Sequence, residues 1–120
     1  CTTDACDPSA GCVYPPLTDF PSIACVFERG VASACPIVPR PVQVRLERAE
    51  RLVTKASGSS DVAKTRRWLT KASRAMQQAR RITAAQRRRL RIGADCANVL
   101  DAHLAEIATR SDGVRKSLTP

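Results

Sequence analysis

The six cysteines are the residues of this 120-residue chain with the greatest capacity for chemistry. Five lie within the first 35 residues and the sixth lies far downstream, at Cys1, Cys6, Cys12, Cys25, Cys35 and Cys96. Cysteines form disulfides in oxidising compartments, whereas zinc sites usually contain C-x(2–4)-C pairs with nearby histidines. The spacings here are longer, and the single histidine is His103. The pattern therefore favours disulfides over a metal site.

The odd number of N-terminal cysteines restricts the pairing. Six cysteines allow fifteen connectivities, and sequence alone does not choose among them. Complete pairing within the chain nevertheless requires one N-terminal cysteine to bridge to Cys96. Cys35 is the nearest in sequence to the C-terminal part, so we expect a Cys35–Cys96 bridge. If Cys1 pairs with another chain instead, Cys96 is left free or the assembly is covalently linked.

A second candidate feature is a run of basic residues. Between Lys64 and Arg91 there are eleven positive side chains and no acid. Residues 41–120 carry a net charge of +11 and residues 1–40 a net charge of −2. The residues expected to contact a partner are Arg66, Arg67, Arg80, Arg81, Arg87 and Arg88.

Three interpretations of this charge remain open. It can be a solvated helix face that keeps the protein soluble. It can attract an anionic polymer or surface, such as acidic polysaccharide, lipopolysaccharide or nucleic acid. It can also pair head-to-tail with the acidic N-terminal part of another copy, a contact that generates rings or filaments.

No catalytic or cofactor motif is present, so we predict a protein that is not an enzyme and has no cofactor. His103 flanks an apolar stripe and is expected at the surface or at the boundary of the core. Asp4 and Asp7 form a weak calcium candidate, but two carboxylates fall short of the six to eight oxygens that calcium requires. Turn stabilisation explains them better. Sequence-specific nucleic-acid binding is not expected, and no apolar run is long enough to span a membrane.

The first sixteen residues contain the pattern C-T-x-D-x-C-D-P-x-x-G-C-x-x-x-P. This pattern resembles the CTDC-type Cys-rich repeat of slime-mould extracellular-matrix proteins and of large secreted bacterial proteins. The resemblance implies a secreted, structural, non-enzymatic protein that is extracellular or on the cell surface. One copy begins at the first residue, which suggests part of a longer repeat array.

Two regions must position these residues. Residues 1–40 are predicted to be a Cys-rich loop module, with short strands at 22–27 and 34–38 and an extended connector formed by Pro36, Pro39 and Pro41. Residues 41–120 are predicted to be a basic α-helical domain, because apolar residues recur at steps of three and four. The predicted helices cover about 42–57, 61–89 and 94–111.

One helix boundary has an alternative. Thr83 to Gln86 can be a capping box that starts a new helix. We prefer a continuous helix that breaks near Gly93, because glycine is costly inside a helix. The short links between the predicted helices indicate a three-helix antiparallel hairpin or bundle. The predicted fold is therefore mainly α, with a small disulfide-stapled, loop-rich module before the helices.

Together these observations predict a structural protein. We expect the C-terminal part of a secreted Cys-rich repeat protein that self-assembles, as a homo-oligomer or polymer, into an extracellular matrix, surface layer or filament. The alternative is a basic binding module that attaches a longer protein to an anionic surface polymer.

Overall fold

The fold is mainly helical, as the periodicity predicts. The computed structural model describes residues 5–7, 11–13, 19–31 and 34–118, with side chains from residue 19 onward. A short antiparallel hairpin comes first, with Cys6 opposite Cys12. The elements in chain order are β1 (Ala5–Asp7), β2 (Gly11–Val13), α1 (Phe20–Arg29), α2 (Arg40–Ser57), α3 (Val62–Arg88) and α4 (Ala94–Ser117).

The three long helices form the predicted antiparallel arrangement, with α3 packed against both α2 and α4. The observed bounds of α2 and α3 lie within two residues of the predicted ones. Helix α3 runs without a break past Thr83, whose buried hydroxyl donates to the carbonyl of Ala79 at 2.9 Å. The capping-box alternative at Thr83 is therefore wrong, and Gly93 precedes α4 as its N-cap residue.

Helix α4 is longer than predicted. It continues through Gly113 to Ser117 instead of ending near residue 111. A glycine inside a helix costs about 1 kcal/mol relative to alanine. Val114 is buried in the core, so the added turn removes apolar surface from water. This burial, together with the Arg115–Asp112 ion pair at 3.6 Å, offsets the cost of the glycine.

Helix α1 replaces the strand that was predicted at residues 22–27. The side chain of Asp19 accepts a hydrogen bond from the backbone of Ser22 at 3.0 Å, and the Ser22 hydroxyl accepts one from the Asp19 backbone at 3.3 Å. This reciprocal pair caps the helix start, and Pro21 is tolerated there because the first turn lacks backbone partners. Ile23 and Val26 then point into the core that α2, α3 and α4 share.

The strand predicted at residues 34–38 is also wrong. This segment consists of turns and bends, and Pro36 supplies no backbone donor for strand pairing. Pro39 is the N-cap residue of α2, and Pro41 lies in its first turn. The extended connector is therefore shorter than predicted.

The Cys35–Cys96 disulfide is present, as predicted from the odd number of N-terminal cysteines and from the nearness of Cys35 in sequence to the C-terminal part. Its Cα atoms are 4.9 Å apart, and it joins the segment before α2 to the first turn of α4. Cys25 on α1 is also disulfide-bonded. The side chains of Cys1, Cys6 and Cys12 lie outside the described part of the chain.

Candidate functional site

Helix α3 owes its position to one apolar stripe. Asp61 caps its start, accepting a hydrogen bond from the backbone of Lys64 at 3.1 Å. Leu69, Met76 and Thr83 recur every seven residues on the stripe and are buried. Because α3 packs against α2 on one side and α4 on the other, the face opposite this stripe is left toward solvent.

The solvent face of α3 carries a continuous row of cations. We define the α3 ridge as Arg67, Lys71, Arg74, Arg81 and Arg88, all of which are exposed. Successive members are four, three, seven and seven residues apart, spacings that keep them on one side of the helix. At 1.5 Å of rise per residue the ridge is about 32 Å long. Gln78 and Ala85 occupy the intervening positions, so no acid interrupts it.

The ridge side chains have no ion pair with any described residue. Within the described part of the chain, no acid neutralises their charges. Five such cations on one rigid element give a positive potential that is additive along the helix.

The six arginines predicted from sequence do not share one face. Arg67, Arg81 and Arg88 lie on the ridge, whereas Arg80 and Arg87 form a row beside α4. Arg66 is half-buried next to Arg67. Lys71 and Arg74 were missed as site residues. Their signal was present in the sequence, because Arg67, Arg74, Arg81 and Arg88 follow one another at intervals of seven.

The row beside α4 is partly engaged within the fold. Arg80 donates two hydrogen bonds to the carboxylate of Asp101, at 2.8 and 3.3 Å. The hydrogen bond to Asp101 raises the pKa of Arg80 above its usual value. Arg87 donates to the side-chain oxygen of Asn98 at 3.3 Å. These two arginines therefore help to hold α3 against α4.

A corner follows the end of α3. Leu90 has a positive φ of 56°, and the backbone of Arg91 donates to the carbonyl of Gln86 at 3.0 Å. Together with the bond from Leu90 to the Arg87 carbonyl at 3.0 Å, this is a Schellman motif with leucine where glycine is usual. We define the α3–α4 corner as residues 87–92 together with Ile37, which lines a shared open cleft with Arg91.

His103 is buried, contrary to the expectation of a surface or boundary residue. Its side chain is only 6% exposed, because α1 and the segment after it cover this part of α4. It lines a cavity of about 320 Å³ between α1, α2 and α4, together with Phe27, Cys35, Glu47 and Glu50. Burial lowers the pKa of His103, and the positive charge of Arg29 lowers it further, whereas Glu106 raises it.

We expect the stability of the protein to fall on acidification through the range in which histidine titrates. The unfolded chain takes up a proton on His103 below about pH 6.5, and the folded chain resists that proton because its pKa is lowered. His103→Gln should therefore remove part of the loss of unfolding free energy seen between pH 7 and pH 5, the range around that reference pKa. Urea unfolding at several pH values measures this slope. If the variant retains the full slope, other groups cause it.

Nothing in the described part of the chain brings together three histidine, cysteine or acidic side chains as a metal-ligand group. The calcium candidates cannot be placed, because Asp4 and the side chain of Asp7 lie outside the described residues. Among the described helices, none has the length and apolar character needed to cross a membrane. Comparison of the chain with family models, with curated proteins and with solved structures found no match.

Proposed function

We propose that this protein is a non-enzymatic binding module that holds an extended polyanion along the α3 ridge. The observation that carries the proposal is the row of five exposed cations over about 32 Å of helix, none of which forms an ion pair with a described residue. A linear polyanion laid along α3 meets these side chains in succession. Each exposed contact contributes only about 0.2–1 kcal/mol, so useful affinity requires several at once.

An acidic polysaccharide fits the ridge better than a nucleic acid does. Binding of single-stranded nucleic acid relies on aromatic side chains for base stacking. The ridge has none, and Trp68, the only tryptophan, packs against the core instead. The Cys35–Cys96 bridge favours an oxidising compartment, in which sulfated or carboxylated polysaccharides occur. The resemblance of residues 1–16 to repeats of secreted proteins supports the same location.

Self-assembly is the second candidate function. The resemblance of residues 1–16 to matrix repeats supports it, and so do two acidic side chains on α2. Glu47 and Glu50 are exposed there, and neither forms an ion pair with a described residue. In this proposal they meet the α3 ridge of another copy and build a matrix, surface-layer or filament subunit. The N-terminal acids offer less, because Asp19 is used to cap α1.

A charge-matched pair of variants tests the first proposal. The ridge variant is Arg67→Gln, Arg74→Gln and Arg81→Gln, and the control is Arg40→Gln, Arg48→Gln and Arg51→Gln on α2. All six arginines are exposed, and both variants lose three charges. We expect the ridge variant to bind heparin, used as the probe polysaccharide, about 10–100-fold more weakly than the wild type, with the control much closer to the wild type. Isothermal titration calorimetry measures the affinities.

The salt dependence gives a second measurement. The slope of log K against log salt should become shallower by about 2–3 in the ridge variant. Equal losses in the two variants would show that only net charge matters and would contradict binding at the ridge. Growth of the wild-type particle at low salt in light scattering, reversed by Glu47→Gln and Glu50→Gln, would favour self-assembly instead.

A further inference from the structure

We propose that the α3–α4 corner is a membrane-contact site that docks on an anionic phospholipid bilayer. In this arrangement Leu90 and Ile37 enter the interfacial region, and the arginines around them contact lipid phosphates. The proposal does not depend on the α3 ridge binding a polysaccharide.

Leu90 is the central observation. Its side chain is 90% exposed, so it adds almost nothing to the core of the folded protein. Its backbone is left-handed, a conformation that disfavours side chains with a β-carbon and that glycine adopts freely at a helix end. A leucine that is both exposed and conformationally disfavoured brings no benefit to folding. Such an outlier points to a role outside the fold.

A second exposed aliphatic side chain lies beside the residue that follows Leu90. Ile37 is 82% exposed and lines an open cleft with Arg91 and Ile92. Leu90 lines the neighbouring cleft between α3 and α4. The Cys35–Cys96 bridge holds the segment of Ile37 against the start of α4. The two aliphatic side chains therefore lie in two clefts that meet at the consecutive residues Leu90 and Arg91.

The surrounding charge identifies the partner as anionic lipid. Arg88, Arg89 and Arg91 are all exposed around Leu90, whereas Arg87 is also exposed but donates to Asn98. Among the described residues, the acids near the corner in sequence are Asp95, which is exposed, and Asp101, which is already paired with Arg80. Near a negatively charged leaflet each basic side chain improves binding by roughly fivefold, and inserted aliphatic groups add to this. A small apolar tip within a basic rim matches that surface, whereas a protein interface needs a larger apolar area.

The test is co-sedimentation with vesicles of phosphatidylserine mixed with phosphatidylcholine. The variants are Leu90→Gly and Ile37→Ser, with Val62→Ser as the control, since Val62 is exposed at 37% but lies at the opposite end of α3 from the corner. We expect each corner variant to bind about tenfold more weakly and the control to bind within twofold of the wild type, because only the corner side chains become buried. Vesicles of phosphatidylcholine alone should bind the wild type weakly.

Misfolding does not explain the expected loss of vesicle binding, because glycine suits the left-handed backbone at position 90. Leu90→Gly should therefore keep or raise the melting temperature. Heparin binding by Leu90→Gly should stay at the wild-type level, which separates this site from the ridge. The proposal is overturned if the wild type does not sediment with phosphatidylserine vesicles, or if Leu90→Gly and Ile37→Ser bind them as the wild type does. It is also overturned if these variants instead abolish association between copies in analytical ultracentrifugation.

Discussion

Replacing both Cys35 and Cys96 by alanine is expected to lower the free energy of unfolding by about 4 kcal/mol. The two cysteines are separated by 61 residues, and the segment between them contains all of α2 and α3. Closing so long a loop removes much of the freedom of the unfolded chain. The total free energy of unfolding of a domain of this size is about 5–15 kcal/mol, so the variant loses a large fraction of its stability. Urea unfolding followed by circular dichroism measures the change.

The single variants provide the control for this prediction. Cys35→Ala alone breaks the cross-link as completely as the double variant does, so the second substitution should add little. A double-mutant cycle should therefore show a large coupling energy between Cys35 and Cys96. The measurement belongs below pH 7, where the remaining thiol is protonated and exchanges slowly with other disulfides. Additive losses in the cycle would mean that packing of the sulfur atoms, and not the cross-link, supplies the stability.

The sequence predicts those parts of the structure that follow from the number of cysteines or from a regular spacing of side chains. The odd number of N-terminal cysteines pointed to Cys96, and proximity pointed to Cys35. Apolar spacing placed α2 and α3 to within two residues. The heptad interval from Arg67 to Arg88 also predicts the α3 ridge. The adjacent arginine pairs of the sequence, however, combine residues of the α3 ridge with residues beside α4.

The parts that sequence did not predict depend on tertiary contacts. Helix α1 has ten residues, includes Pro21 and is rich in β-branched and aromatic side chains, which favour a strand in isolation. Only packing against α4 and α2 makes it stable as a helix. The same packing buries His103, which lies at the edge of the stripe of α4. The strained backbone of Leu90 had no signal at all, since glycine is the usual residue there.

Because α1 is packed into the core, we expect Ile23→Ala to cause the second large loss of stability. Ile23 is completely buried and packs with the core of the three long helices. Replacing it with alanine leaves a cavity and should lower the free energy of unfolding by about 2–5 kcal/mol. Val44→Ala on α2 is the control, because its side chain is 47% exposed. The control should change stability by less than about 0.5 kcal/mol.

The way in which Ile23→Ala unfolds shows whether α1 and the long helices form one cooperative unit. Trp68 lies on α3, whereas α1 packs against α4 and α2. Since Trp68 is the only tryptophan, its fluorescence reports on the long helices. If the core is shared, the tryptophan signal and the helical circular dichroism signal should shift together to lower urea. An early loss of circular dichroism, with the Trp68 midpoint unchanged, would instead show that α1 separates first. In that case α1 would belong to a Cys-rich module that merely rests on the bundle, and the disulfide at Cys35 would be the main connection between them.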